Sequence, residues 1–140
     1  MYTGIKLEKR IHLMTKVLAN YQSLKLIFNQ EVSKPLQMIG SVPENGTYLI
    51  VEDGPIVIKM TLENENIKVI EITSSLLKTH LYDEVFMALE KSLNCSSINF
   101  YNAYQNAIKN NTLEIGRNKG FKATHDARNG QLKVTITKEF

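Results

Sequence analysis

TYLIVEDGPIVIKMTLENENIKVIEI, residues 47–72, is the stretch on which the reading of the fold turns. Thr47-Tyr48-Leu49-Ile50-Val51 is a run of β-branched, aromatic and aliphatic side chains that stops at Glu52-Asp53-Gly54-Pro55, a strong turn signal. Beyond the turn, Ile56, Ile58, Met60 and Leu62 alternate with Val57, Lys59 and Thr61, so this strand has one apolar and one mixed face. Glu63-Asn64-Glu65-Asn66 turns the chain again. In the third run, Ile67 to Ile72, apolar residues fall at both parities, which suggests a bulge, a central strand, or a register that the pattern does not assign. The expectation is an antiparallel meander of three strands.

Working outward toward the N-terminus, apolar residues fall at Leu7, Ile11, Met14, Leu18, Tyr21, Phe28 and Val32, with Lys25 interrupting the series. Steps of three and four predict one long amphipathic helix with a seam of coiled-coil spacing. Leu13, Val17, Leu24 and Ile27 widen its apolar face. The seam residues Leu7, Ile11, Met14, Leu18 and Tyr21 are the expected dimer interface, although the same seam could instead be buried within one chain. Pro35 marks the end of the helix. In the other direction, a second helix runs from about Leu77 to Leu93 and is interrupted by Asn94-Cys95-Ser96-Ser97. A third continues through Phe100, Tyr101, Tyr104 and Ile108, with Ser97 as its N-cap. The last 25 residues read as a β-hairpin in which Phe121, Ala123 and His125 oppose Leu132, Val134 and Ile136 across a turn containing Asn129-Gly130. The expected architecture is therefore a single α+β domain over residues 1–140: long N-terminal helix, three-stranded meander, two helices and a C-terminal hairpin.

The 140 residues are 43% hydrophobic and 22% charged, enough to bury one core, and neither wholesale disorder nor a transmembrane helix fits them. Apolar and charged residues alternate at the N-terminus, so no secretory signal is expected and the cytoplasm is the expected location. Cys95 is the single cysteine, and three scattered histidines complete no metal-ligand spacing, so no metal or cofactor is expected. The net charge of +3 is unevenly spread. Residues 1–40 hold six basic and two acidic side chains, 41–110 five and nine, and 111–140 six and three. Basic ends thus flank an acidic middle, which suits an anionic partner if the fold brings the ends together, and serves solubility if it does not.

Candidate chemistry is sparse. His80 and Asp83, three apart, are the only histidine–carboxylate pair suggested by local spacing, with Ser75, Thr79 and Cys95 nearby as potential nucleophiles. An exposed helix start explains the pair more simply. Gly116-Arg117-Asn118-Lys119-Gly120 lacks the glycine and lysine spacing of a Walker or dinucleotide loop and reads as a basic loop leading into the hairpin. Phe100, Tyr101 and Tyr104 would serve as a base-stacking platform, but their helical spacing favours core or interface packing.

The stretch Gly54-Pro55-Ile56-Val57-Ile58-Lys59-Met60-Thr61, followed after a turn by Ile67-Lys68-Val69-Ile70-Glu71-Ile72-Thr73-Ser74-Ser75-Leu76-Leu77, resembles the YbaB/EbfC family of bacterial nucleoid-associated proteins. Such a resemblance implies a homodimer that binds DNA through basic residues with little sequence specificity. The chain departs from the family pattern at Thr73, at Ala88, Glu90 and Ser92, and in its C-terminal hairpin.

The leading expectation is a non-enzymatic dimer that binds duplex DNA by charge, through Lys6, Lys9, Arg10 and Lys16 on the first helix and Arg117, Lys119 and Lys122 as a second patch. The alternative is a protein–protein adaptor, such as a chaperone, immunity protein or assembly factor, that uses the helix seam or a sheet edge. No membrane role is expected.

Overall fold

The computed structural model describes residues 5–8, 16–40 and 45–139. They form one antiparallel sheet with three helices. In chain order the elements are β1 (Ile5–Glu8), β2 (Ala19–Asn20), α1 (Tyr21–Glu31), β3 (Gly46–Asp53), β4 (Ile56–Glu63), β5 (Asn66–Ser74), α2 (His80–Leu93), α3 (Ile98–Asn110), β6 (Leu113–Asn118), β7 (Phe121–Asp126) and β8 (Leu132–Lys138). A single 3₁₀ turn, Lys34–Leu36, follows α1. The spatial order is β1-β3-β4-β5-β8-β7-β6, and the short β2 pairs with the free part of β5's edge.

This architecture corrects the expected one in two respects. The long N-terminal helix does not form: residues 5–8 pair as a strand with β3, Ile5 opposite Leu49 and Lys6 opposite Tyr48, and the helix begins only at Tyr21. Its start is set by the sheet, because Leu18 donates its amide to the Ile67 carbonyl at 2.7 Å and Ala19–Asn20 pair with β5. Asn20 then caps the helix, its side chain accepting the Ser23 amide at 3.2 Å. Second, the expected three-stranded meander is no separate unit. β5 is a central strand between β4 and β8, which joins the C-terminal strands to β3, β4 and β5 in one sheet.

Two irregularities explain the mixed parity of the apolar runs. The register slips opposite Thr61/Leu62, leaving Lys68 as the extra residue on β5, so that Ile67 and Lys68 are both buried. A second slip at Leu49/Val51 buries Ile50 and Val51 together. Turn chemistry closes the hairpins. Asn64 and Glu65 both take positive φ between β4 and β5, while Gly54, at φ +57, supplies the positive first position that a primed turn between β3 and β4 requires.

Alternate strand residues, including Tyr48, Ile58, Met60, Ile70, Ile72, Val134 and Ile136, join buried residues of all three helices in one apolar cluster. From α1 this cluster takes Tyr21, Leu24 and Phe28, and α1 is tied to α2 by Lys91 Nζ to Glu31 Oε2 at 2.9 Å. The segment after Pro35 folds back along α1, held by Asn29, whose side chain donates to the Met38 carbonyl at 2.7 Å and accepts the Met38 amide at 2.8 Å. Each of the next two helices carries a hydroxyl N-cap, Thr79 or Ser97, and a left-handed Asn C-cap, Asn94 or Asn111.

Candidate functional site

The expected nucleic-acid residues fall into separate places. Lys6 sits on β1 at one edge of the sheet, whereas Arg117, Lys119 and Lys122 lie on the β6–β7 hairpin at the other. Lys9 and Arg10, like the seam residues Ile11 and Met14, are outside the described residues. Leu7 is in β1, and Leu18 and Tyr21 are buried in this chain's own core. One junction does bring the basic ends together. The Lys16 amide donates to the Lys138 carbonyl at 3.2 Å, and Lys138 pairs with Phe121 at the start of β7, its Nζ 4.9 Å from the ring centroid. Lys16, Lys138 and the Lys119-Gly120 turn therefore occupy one end of the sheet. Arg117 is engaged there by Glu139, Nε to Oε1 at 3.1 Å.

A concavity of about 720 Å³ lies between α2 and α3, in the range usual for ligand and peptide-anchor sites. Its wall is aromatic. Tyr82 stacks on Tyr104 with ring centroids 4.8 Å apart and on Phe86 at 5.7 Å, and Phe86 meets Phe100 edge to face at 6.0 Å. Helical spacing brings these rings together: Tyr82 and Phe86 are four apart on α2, and Phe100 and Tyr104 four apart on α3. Met87, Ile98 and Tyr101 also line the groove and are 67%, 66% and 57% exposed. Behind the rings, fully buried on β7, His125 lies 5.6 Å from Phe86 and 6.2 Å from Tyr104.

Three charged residues line the groove: Lys78, Asp83 and Glu90. Burial raises the Glu90 carboxyl above its ordinary value, and the Ser97 amide, donating to Oε2 at 3.3 Å, partly offsets this. Burial likewise raises the Tyr82 and Tyr104 hydroxyls, with Asp83 adding to both. Among the described residues neither hydroxyl has a hydrogen-bond partner of good geometry, and neither do the His125 nitrogens. Burial drives His125 down to about 4, with the Ala123 backbone pulling weakly the other way.

Among the described residues the candidate nucleophiles and the histidine–carboxylate pair are not brought together at the groove. His80 opens α2 and Asp83 lies a turn later, both exposed. The hydroxyl of Thr79 is used as the helix cap, accepting the Leu81 amide at 3.2 Å. Cys95 is buried, and its thiol is pushed up to about 12 by desolvation and by Glu90. Among the described residues no three His, Cys, Asp or Glu side chains gather as a metal site, and no helix is long and apolar enough to cross a membrane. The sequence reading singled out Phe100, Tyr101 and Tyr104 but not Tyr82 and Phe86, whose i, i+4 aromatic spacing was the available signal. No protein-family model, no curated protein and no solved structure matches this chain.

Proposed function

We propose that this protein is a non-enzymatic, cytoplasmic protein–protein adaptor that seats an apolar segment of a partner in the groove between α2 and α3. The carrying observation is the group of exposed apolar side chains, Met87, Ile98 and Tyr101, set around an aromatic-walled concavity. A pocket fringed by exposed apolar residues is the form that a helix-in-groove contact takes. The test places a photo-crosslinking residue at Tyr101, identifies the captured protein and repeats binding with that partner purified. Met87→Asp and Ile98→Asp should then weaken binding by about tenfold or more, with the circular-dichroism spectrum unchanged. Undiminished binding by both variants removes the groove from the function.

A second reading, duplex DNA bound by charge with low sequence specificity, is favoured by the junction of Lys16 with Lys138 beside the β6–β7 turn. Among the described residues Lys16, Lys119 and Lys122 there are free of ion pairs, whereas Arg117 is engaged by Glu139. A titration of duplex DNA across salt concentrations distinguishes the readings. Charge-driven binding falls steeply with salt and is lost in Lys119→Glu/Lys122→Glu. Absence of binding at low salt leaves these lysines to solubility.

A further inference from the structure

The groove's charge identifies the chemistry of its occupant, an inference that rests on the adaptor reading above. Asp83, Met87 and Glu90 line it from α2 at i, i+4 and i+7, so they share one ridge of the helix. The two carboxylates stand two turns apart, about 10 Å along the axis, with the exposed thioether of Met87 between them. Lys78, which precedes the helix, is the one cation in the lining. Across the groove α3 presents Ile98 and Tyr101, with Tyr104 beneath, and Tyr104 stacks on Tyr82.

From this pattern we infer that the groove receives a basic amphipathic helix of a partner protein, with apolar residues at its centre and Lys or Arg residues seven apart on either side. The apolar centre meets Met87, Ile98 and the aromatic wall. One cation is drawn to Asp83 and the other to Glu90, and the tyrosine rings add the attraction of an aromatic face for a positive charge. An acidic segment or a phosphate backbone would set its own charge against both carboxylates. The acidic middle of the chain is thus functional at this ridge: Glu84 is turned to the Ser33 amide and Glu31 to Lys91, whereas Asp83 and Glu90 line the groove, Asp83 beside the Tyr104 hydroxyl and Glu90 also accepting the Ser97 amide.

The probes are three synthetic helical peptides of about 14 residues with the same Leu-rich centre and Lys, Gln or Glu at the two flanking positions. Each carries one Trp as reporter, because this chain has none. The Lys peptide is expected to bind about tenfold more tightly than the Glu peptide at low salt. In Asp83→Asn/Glu90→Gln that preference should shrink to within about twofold, while the affinity for the Gln peptide stays as in the unaltered protein. Met87→Asp should weaken the Gln peptide, which reports apolar seating alone. A Lys preference that persists in the double variant, or equal binding of all three peptides, overturns the cation assignment and leaves the adaptor reading standing. Binding of none of them also overturns the assignment, and the crosslinking experiment then judges the adaptor reading alone. Sedimentation of the chain by itself covers the remaining occupant, since a dimer abolished by Met87→Asp would assign the groove to a second copy and overturn the inference.

Discussion

Tyr82 and Tyr104 stack across the α2–α3 contact with ring centroids 4.8 Å apart and planes inclined by 26°. Their rings form the groove wall; among the described residues the buried Tyr82 hydroxyl lacks a hydrogen-bond partner, whereas the Tyr104 hydroxyl faces the Asp83 carboxylate. At Tyr82, aromatic contact therefore holds the two helices together without help from a hydrogen bond.

Removing the Tyr82 hydroxyl should accordingly cost nothing. Tyr82→Phe keeps the ring and deletes an unsatisfied buried group, so stability to urea should stay level or rise by up to about 1 kcal/mol. Tyr104→Phe also gives up the interaction with Asp83 and should be the less favourable of the two. A loss exceeding about 1 kcal/mol in Tyr82→Phe would show that its hydroxyl has a partner.

His125 makes stability depend on pH. Its folded value of about 4 lies below the ordinary 6.5, so in the interval between them the unfolded chain binds a proton that the folded chain does not. Stability is therefore complete above pH 6.5, declines as the pH falls towards 4, and loses nothing more from this group below that. The total is about 3 kcal/mol. Denaturant titrations of the protein and of His125→Leu at pH 7, 5.5 and 4 should show the acid loss reduced by that amount in the variant. Asp126, held down to about 2 by Arg128, protects only at lower pH: its contribution is present above the ordinary carboxylate value and disappears as the pH falls towards 2. Parallel pH curves for the two proteins would refute the His125 assignment.

Gly116 is where α3 crosses β6. A Cβ there would lie 2.8 Å from the Asn99 carbonyl oxygen and 3.0 Å from Phe100 Cδ1. Gly116→Ala must push α3 away from the strand, and we expect a loss of about 1–3 kcal/mol together with altered aromatic circular dichroism, because Phe100 belongs to the groove wall. A variant as stable as the parent would mean that α3 shifts at no cost.

Cys95 should be inert in the folded state. Burial and the neighbouring Glu90 hold its pKa near about 12, so alkylation by iodoacetamide at pH 8 should be negligible until denaturant exposes the thiol. Rapid alkylation under native conditions would indicate that the loop between α2 and α3 opens.

The strands and helices between residues 46 and 110 were legible because local chemistry there agrees with the fold. In β4 the alternation from Ile56 to Leu62 is the buried pattern itself, and Gly54 and Asn64 in its turns are residue types that accept positive φ, although Glu65 takes it too. The caps Ser97 and Asn94 bound their helices as side-chain chemistry dictates. β6 was not legible as a strand. Leu113 and Ile115 alternate but point away from the core, and the single buried residue is a glycine, so periodicity carries no sign that α3 will lie over it. The aromatic groove was half legible, since Phe100 and Tyr104 showed helical spacing, but their stacking partners come from another helix.

What the sequence determined by itself is the set of elements whose hydrophobic period, turns and caps are local: β3, β4, β5, α2, α3 and the strands of the final hairpin. What only the tertiary structure decided is the N-terminal region and the assembly of the sheet. Steps of three and four from Leu7 to Val32 satisfy a helix, yet residues 5–8 pair with β3 and residues 19–20 with β5. The physical reason is that backbone amides and carbonyls can be satisfied within a helix or by a distant strand. The side-chain pattern specifies an apolar face and leaves that choice to the partners the rest of the chain supplies.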